Sequence, residues 1–137
     1  MHLSSEIALQ EIRRKTKTRN RIVFVSGNFN IVHPGHLRLL RYAEECGNFL
    51  VVGVHAKNSI GAILPEELRL EAVRVISIVD FAFVLHDSPE DFILALKPAI
   101  VVKGKEHEQR DNTEQQAVDS YSGKLLFSSG DITFSSF

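Results

Sequence analysis

A single cysteine in 137 residues, Cys46, excludes an internal disulfide and a cysteine-built metal cluster and suits a reducing compartment. An excess of one charge is missing too: 16 Lys and Arg stand against 17 Asp and Glu, a formal net charge of -1. That balance calls for neither nucleic acid nor an anionic membrane as a partner, so any anionic ligand must be held by local features. Long apolar runs are also absent. The longest candidate, residues 75–85, contains Asp80 and falls short of the ~20 residues needed to span a bilayer. Residues 2–10 read as helix and lack the apolar stretch of a secretory signal, so the expected location is cytoplasmic. Internal repeats and low-complexity segments are not found.

The remaining composition, 44% hydrophobic, fits one compact domain that buries roughly two-thirds of its unfolded surface. Ser4 or Ser5 is expected to cap a short helix through about Ile12, with Ile7, Leu9 and Ile12 as its apolar positions. The basic stretch Arg13, Arg14, Lys15, Lys17, Arg19 and Arg21 has no interleaved aromatics and reads as a solvated lead-in rather than a nucleic-acid arm. From Arg21 onward, apolar β-branched runs alternate with helical patterns. Strands are expected at residues 22–25, 49–54, 81–85, 100–102 and 125–127, and helices near 35–46, 65–78, 89–96 and 112–121. This is an α/β pattern, a Rossmann-like, doubly wound, five-stranded parallel sheet. The chain divides into a helix and basic lead-in at 1–20 and the main domain at 21–137, expected to be part of a longer protein. In such sheets ligands bind beyond the carboxyl ends of the strands, so the loops after Val25, Val54, Leu85, Val102 and Phe127 carry the information.

After the first strand the chain reads Gly27-Asn28-Phe29-Asn30-Ile31-Val32-His33-Pro34-Gly35-His36 and then enters a helix. Gly27 permits a tight turn, and the free N–H groups and positive dipole end of the helix attract an anion. With the helix starting near Pro34, His33 and His36 face the same phosphate one turn apart. The Gly-Lys-Ser/Thr ending of a Walker A loop is absent, and so is G-x-G-x-x-G. A metal site is the rival reading, with His33 and His36 joined by His55, His86 or His107.

These residues resemble the signature loop of the cytidylyltransferase-like family, G-x-F-D-x-x-H-x-G-H, at every fixed position except the aspartate, which is Asn30. The closest likeness is to the adenylyltransferase domain of ADP-heptose synthases, with glycerol-3-phosphate cytidylyltransferase more distant. The resemblance implies the HUP-type nucleotidyltransferase fold. It also implies that Gly27, Asn28, Phe29, Asn30 and Gly35 form the nucleotide loop and that His33 and His36 are catalytic. The segment Pro65-Glu66-Glu67-Leu68-Arg69 resembles the family's approach to its middle helix, which gives Arg69 the triphosphate; the alternative is a pair with a glutamate one helical turn away. Asp80 reads as structural. The run from Lys97 to Lys105 resembles the family's K-P-D-x-x-V-K-G turn, implying that Gly104 meets base or ribose and that Lys103 or Lys105 reaches phosphate. Gly130 to Ser136 resembles the closing G-x-S-T-T motif and makes Ser135 and Ser136 phosphate ligands or helix caps. Lys57 alone fills a loop where the family carries one or two lysines, and Lys105-Glu106 replaces the usual aspartate after the Lys-Gly turn.

The function implied is transfer of a nucleoside monophosphate, AMP favoured, from a nucleoside triphosphate to a sugar phosphate or similar phosphorylated acceptor, with release of pyrophosphate. ATP or CTP and the acceptor are the expected partners, with Mg²⁺ bound alongside the nucleotide, and neither nucleic acid nor membrane takes part. A homodimer stays open, since dimers are common in the family. Two alternatives stand beside this reading: a CTP-dependent polyol-phosphate cytidylyltransferase, and a catalytically weakened nucleotide-binding or regulatory domain, motivated by Asn30, Glu106 and the missing lysines.

Overall fold

The structure, a computed structural model, describes residues 1–30, 34–56, 64–105, 108 and 113–128. Five strands, β1 (Ile22–Gly27), β2 (Phe49–His55), β3 (Phe81–Leu85), β4 (Ile100–Gly104) and β5 (Lys124–Ser128), form one sheet in the order β3-β2-β1-β4-β5. All four pairings are parallel. The helices α1 (Leu3–Lys15), α2 (Pro34–Glu45), α3 (Glu66–Arg74), α4 (Pro89–Leu96) and α5 (Thr113–Asp119) cover both faces. The expected doubly wound α/β architecture is therefore the observed one.

Alternation along the strands sends side chains to two cores, which is why the strands read as continuous apolar runs. Phe24, Val51, Phe83 and Val101 meet Ala8, Leu9 and Ile12 of α1, Phe92, Ile93 and Leu96 of α4, and Ala117 and Val118 of α5. Phe92 stacks at a tilt on Phe24 and Phe83, with ring centroids 5.3 and 4.7 Å away. On the other face Val23, Val25, Leu50, Val52 and Val102 meet Leu40 and Ala43 of α2 and Val73 of α3.

Three local expectations are corrected. Helix α1 begins two or three residues earlier than Ser4 or Ser5 would place it: the His2 ring caps it by accepting from the Ser4 N–H, and Ile7 is exposed while Ala8 takes the core position. The basic stretch is not simply solvated, because Arg13 donates to the Ala95 carbonyl and the Lys15 ammonium lies 5.8 Å from the Phe81 ring centroid. Helix α3 stops at Arg74 rather than 78, since Ile76, Ile78 and Val79 turn down onto the second core. Asp80 then ties the chain to β2, its Oδ2 accepting from the Leu50 N–H at 2.7 Å, the structural role expected of it. Helix α4 has the expected entry, with Ser88 as N-cap and Pro89 in the first turn.

Candidate functional site

Strand order reverses between β1 and β4, and a cleft of about 470 Å³ opens there at the carboxyl ends of the strands. Gly27, Asn28, Phe29, Asn30, His36, Lys103 and Gly104, all expected from the sequence, line it together. Gly35 occupies the first turn of α2, beside this wall. His33, Lys57, Ser135 and Ser136, and with them Glu106 and His107, lie outside the described residues.

The loop after β1 is built around Phe29, which is buried and adopts a left-handed backbone with φ of 50°. Its ring folds back over Gly27, where an added Cβ would meet Phe29 Cε2 at 3.1 Å. The glycine therefore makes room for an aromatic anchor, and the unfavourable φ is held by packing around the ring. The anchor aims the chain toward the start of α2, where the Phe29 and His36 rings lie 5.5 Å apart at 57°.

Arg69 is held by backbone carbonyls rather than by a glutamate. It is 1% exposed, and the described wall of the cleft does not include it. Its Nη1 donates to the carbonyls of Asn28 and His55 at 2.8 and 2.6 Å, and its Nε donates to the Leu64 carbonyl at 2.8 Å. A glutamate one turn away is not among its partners in the described residues; the guanidinium joins the loop after β1, the end of β2 and the entry to α3, and its buried Nη2 has no hydrogen-bond partner among the described residues. Asn30 reinforces the same joint, its Oδ1 accepting from the Leu64 N–H. An amide oxygen serves that contact as a carboxylate would, so the asparagine at the family's aspartate position keeps the loop anchored.

Two polar groups in the wall were not singled out as nucleotide contacts in the sequence. His55, the last residue of β2, pairs its Nδ1 with Asn28 Oδ1 at 3.2 Å, and burial, with the Arg69 and Lys103 charges adding to it, holds its pKa below the ordinary imidazole value. Glu114, in the first turn of α5, accepts from Lys103 Nζ at 2.7 Å. The side chains of the lysine and glutamate are only 20% and 10% exposed, so Lys103 is engaged by a carboxylate. The position of His55 was marked in the sequence by the end of an apolar strand. Glu114 left no such signal, because its partner lies 11 residues away across a strand-to-helix connection.

Among the described residues no group of three His, Cys, Asp or Glu side chains could hold a metal ion. The described residues do not fit a protein-held metal.

Residues 24–126 match the family model described as Cytidylyltransferase-like. The bifunctional protein HldE of Geotalea uraniireducens (strain Rf4) is 33% identical over 127 residues, covering 86% of this chain and 26% of that one. Its namesake from Gluconobacter oxydans (strain 621H) is 32% identical over 114 residues, 77% of this chain and 24% of that one. The chain thus spans about a quarter of the length of the curated relatives it matches. In fold it is similar to a lipopolysaccharide core biosynthesis protein from Thermoplasma volcanium GSS1, with TM-score 0.65, 23% identity, and coverage of 80% of this chain and 97% of that one. It is similar also to pantoate-beta-alanine ligase from Francisella tularensis, solved with Beta-gamma ATP and beta-alanine, with TM-score 0.65, 14% identity, and coverage of 88% and 63%. Among the described residues no helix is long and apolar enough to cross a membrane.

Proposed function

Because the chain belongs to the cytidylyltransferase-like family of nucleotidyltransferases, we propose that it transfers a nucleoside monophosphate, AMP by preference, from a nucleoside triphosphate to the phosphate of a sugar phosphate. The observation that carries this reading is the cleft at the β1/β4 reversal, with Gly27, the buried Phe29 anchor and the first turn of α2 with His36 gathered on one wall. A helix N-terminus beside a glycine turn suits a polyphosphate. The preference for AMP over CMP rests on the resemblance of the motifs to the adenylyltransferase domain of ADP-heptose synthases.

In this mechanism an oxygen of the acceptor phosphate attacks the α-phosphorus in line, the bond from that phosphorus to the α–β bridging oxygen breaks, and pyrophosphate leaves. The nucleophile is already ionised at neutral pH, so the protein supplies positioning and charge stabilisation rather than a general base. His36, joined by His33, donates to the α-phosphate as charge develops. Arg69 acts as a positioning residue: it binds the carbonyls of Asn28 and His55, two residues that line the cleft. Mg²⁺, when present, travels with the triphosphate and offsets its charge. The reaction is assigned to the cytosol, the reducing compartment that a single cysteine suits.

Pyrophosphate release from ATP and CTP, measured with a panel of sugar 1-phosphates and polyol phosphates, tests the proposal on the full protein. Turnover with ATP and a sugar phosphate is the expected result, and turnover confined to CTP and a polyol phosphate would reassign both substrates. Tight nucleotide binding without release on any acceptor would replace the proposal with a regulatory nucleotide-binding role.

A further inference from the structure

The Lys103–Glu114 ion pair lines the cleft. An ion pair with side chains 20% and 10% exposed has lost most of its hydration, and such a pair contributes little net stability compared with apolar residues of the same size. It stands in the wall of the cleft, where ligand contact gives a desolvated charge pair a use. Only Oε1 of Glu114 accepts from Lys103; its Oε2 makes no hydrogen bond among the described residues, leaving acceptor capacity unused.

The two lips of the cleft differ in chemistry. His36 stands on α2, which packs on the second core with Val102. Lys103, one residue further along β4, points to the opposite face, where α5 packs with Ala117 and Val118 against Val101. The α2 lip suits phosphate. On the α5 lip the carboxylate disfavours phosphate and accepts from hydrogen-bond donors, and the Lys103 charge beside it offsets part of its own.

We propose that Glu114 is a ligand-binding residue of this cleft, its Oε2 accepting hydrogen bonds from sugar hydroxyls, with Lys103 holding the carboxylate in place. This inference rests on the nucleotidyltransferase reading and adds the substrate group that meets the α5 lip. The hydroxyls come either from the ribose of the nucleotide or from the sugar of the acceptor. Both present adjacent O–H donors.

The test uses the full protein and two arms. In the first, calorimetric titration compares ATP with 2′-deoxy-ATP and 3′-deoxy-ATP. In the second, pyrophosphate release compares glucose 1-phosphate with 2-deoxyglucose 1-phosphate. A hydrogen bond from a hydroxyl to a carboxylate gives a preference of roughly 10- to 100-fold, seen in Kd in the first arm if ribose is the ligand and in KM in the second if the acceptor is. Glu114→Gln should reduce that preference to about three-fold or less, and a folded variant that keeps the full preference overturns the role of Glu114. The deoxy comparisons on the unmodified protein keep the proposal falsifiable if this variant folds poorly. Equal use of hydroxyl and deoxy ligands in both arms overturns the role of Glu114 and leaves the nucleotidyltransferase reading standing. Failure to bind any nucleotide overturns that reading and this inference with it.

Discussion

Replacing Arg69 with methionine separates a guanidinium that holds loops from one that holds phosphate. In the structure it makes three hydrogen bonds to carbonyls, those of Asn28, His55 and Leu64, while 1% exposed. Hydrogen bonds from a charged donor contribute about 1.5–3 kcal/mol each, so losing all three removes on the order of 4–9 kcal/mol before any compensation. Against this, methionine ends the desolvation of a buried cation and fills part of the volume. The net loss should resemble that of breaking one side of a buried charged network, about 3–5 kcal/mol. For a chain of this size that corresponds to a fall in Tm of roughly 10–25 °C. Urea and thermal unfolding followed by circular dichroism measure it, and Arg69→Lys, which can reach fewer of the three carbonyls, should fall between the two. A loss under about 1 kcal/mol, comparable to a surface substitution, accompanied by loss of triphosphate binding, would refute the reasoning and return Arg69 to the phosphates.

Other positions give independent checks. Gly47→Ala would place a Cβ 2.3 Å from the Arg21 carbonyl oxygen, a backbone atom at the entry to β1; the chain must shift, and a loss of about 2–3 kcal/mol is expected in urea unfolding, while an unchanged midpoint would contradict the packing. The pKa of His55 is lowered from 6.5 mainly by burial, so below that pH the unfolded chain binds more protons than the folded one. The stability it contributes is complete above about pH 6.5 and is lost as pH falls through the folded value. His55→Gln should flatten that part of the stability–pH curve relative to the parent, and parallel curves between pH 7.5 and 5 would count against a buried neutral imidazole. Tyr121 is pushed by burial up to about 12 and donates to the Pro98 carbonyl at 2.8 Å. Tyr121→Phe should therefore cost about 0.5–1.5 kcal/mol, and ultraviolet titration of the parent should show one tyrosine ionising well above pH 10.

The architecture was legible because each strand, buried on both faces, wrote itself as an apolar run: Phe81–Leu85 was read from the sequence with the bounds of β3. Helix ends were less legible where tertiary contacts decide them. Ile76, Ile78 and Val79 continue a helical-looking pattern, yet they are needed in the core, and Asp80 must reach Leu50. Most of the described part of the site was readable too, because Gly27 through Asn30 and His36 are contiguous in sequence and spacing carried the signal. The contacts that hold Arg69 were not legible, since the carbonyls it binds belong to Asn28, His55 and Leu64, and a backbone acceptor leaves no mark on a sequence. Glu114 went unread for a related reason: its pairing with Lys103 depends on how α5 docks against β4.

The central claim, that the cleft beside the first turn of α2 stabilises charge on a nucleotide's α-phosphate, is tested most directly by turnover in His36→Ala. The expected result is a fall in pyrophosphate release on the order of 10²–10³-fold, with thermal unfolding unchanged within a few degrees because the ring is only half-buried. Near-normal turnover in that variant would contradict it.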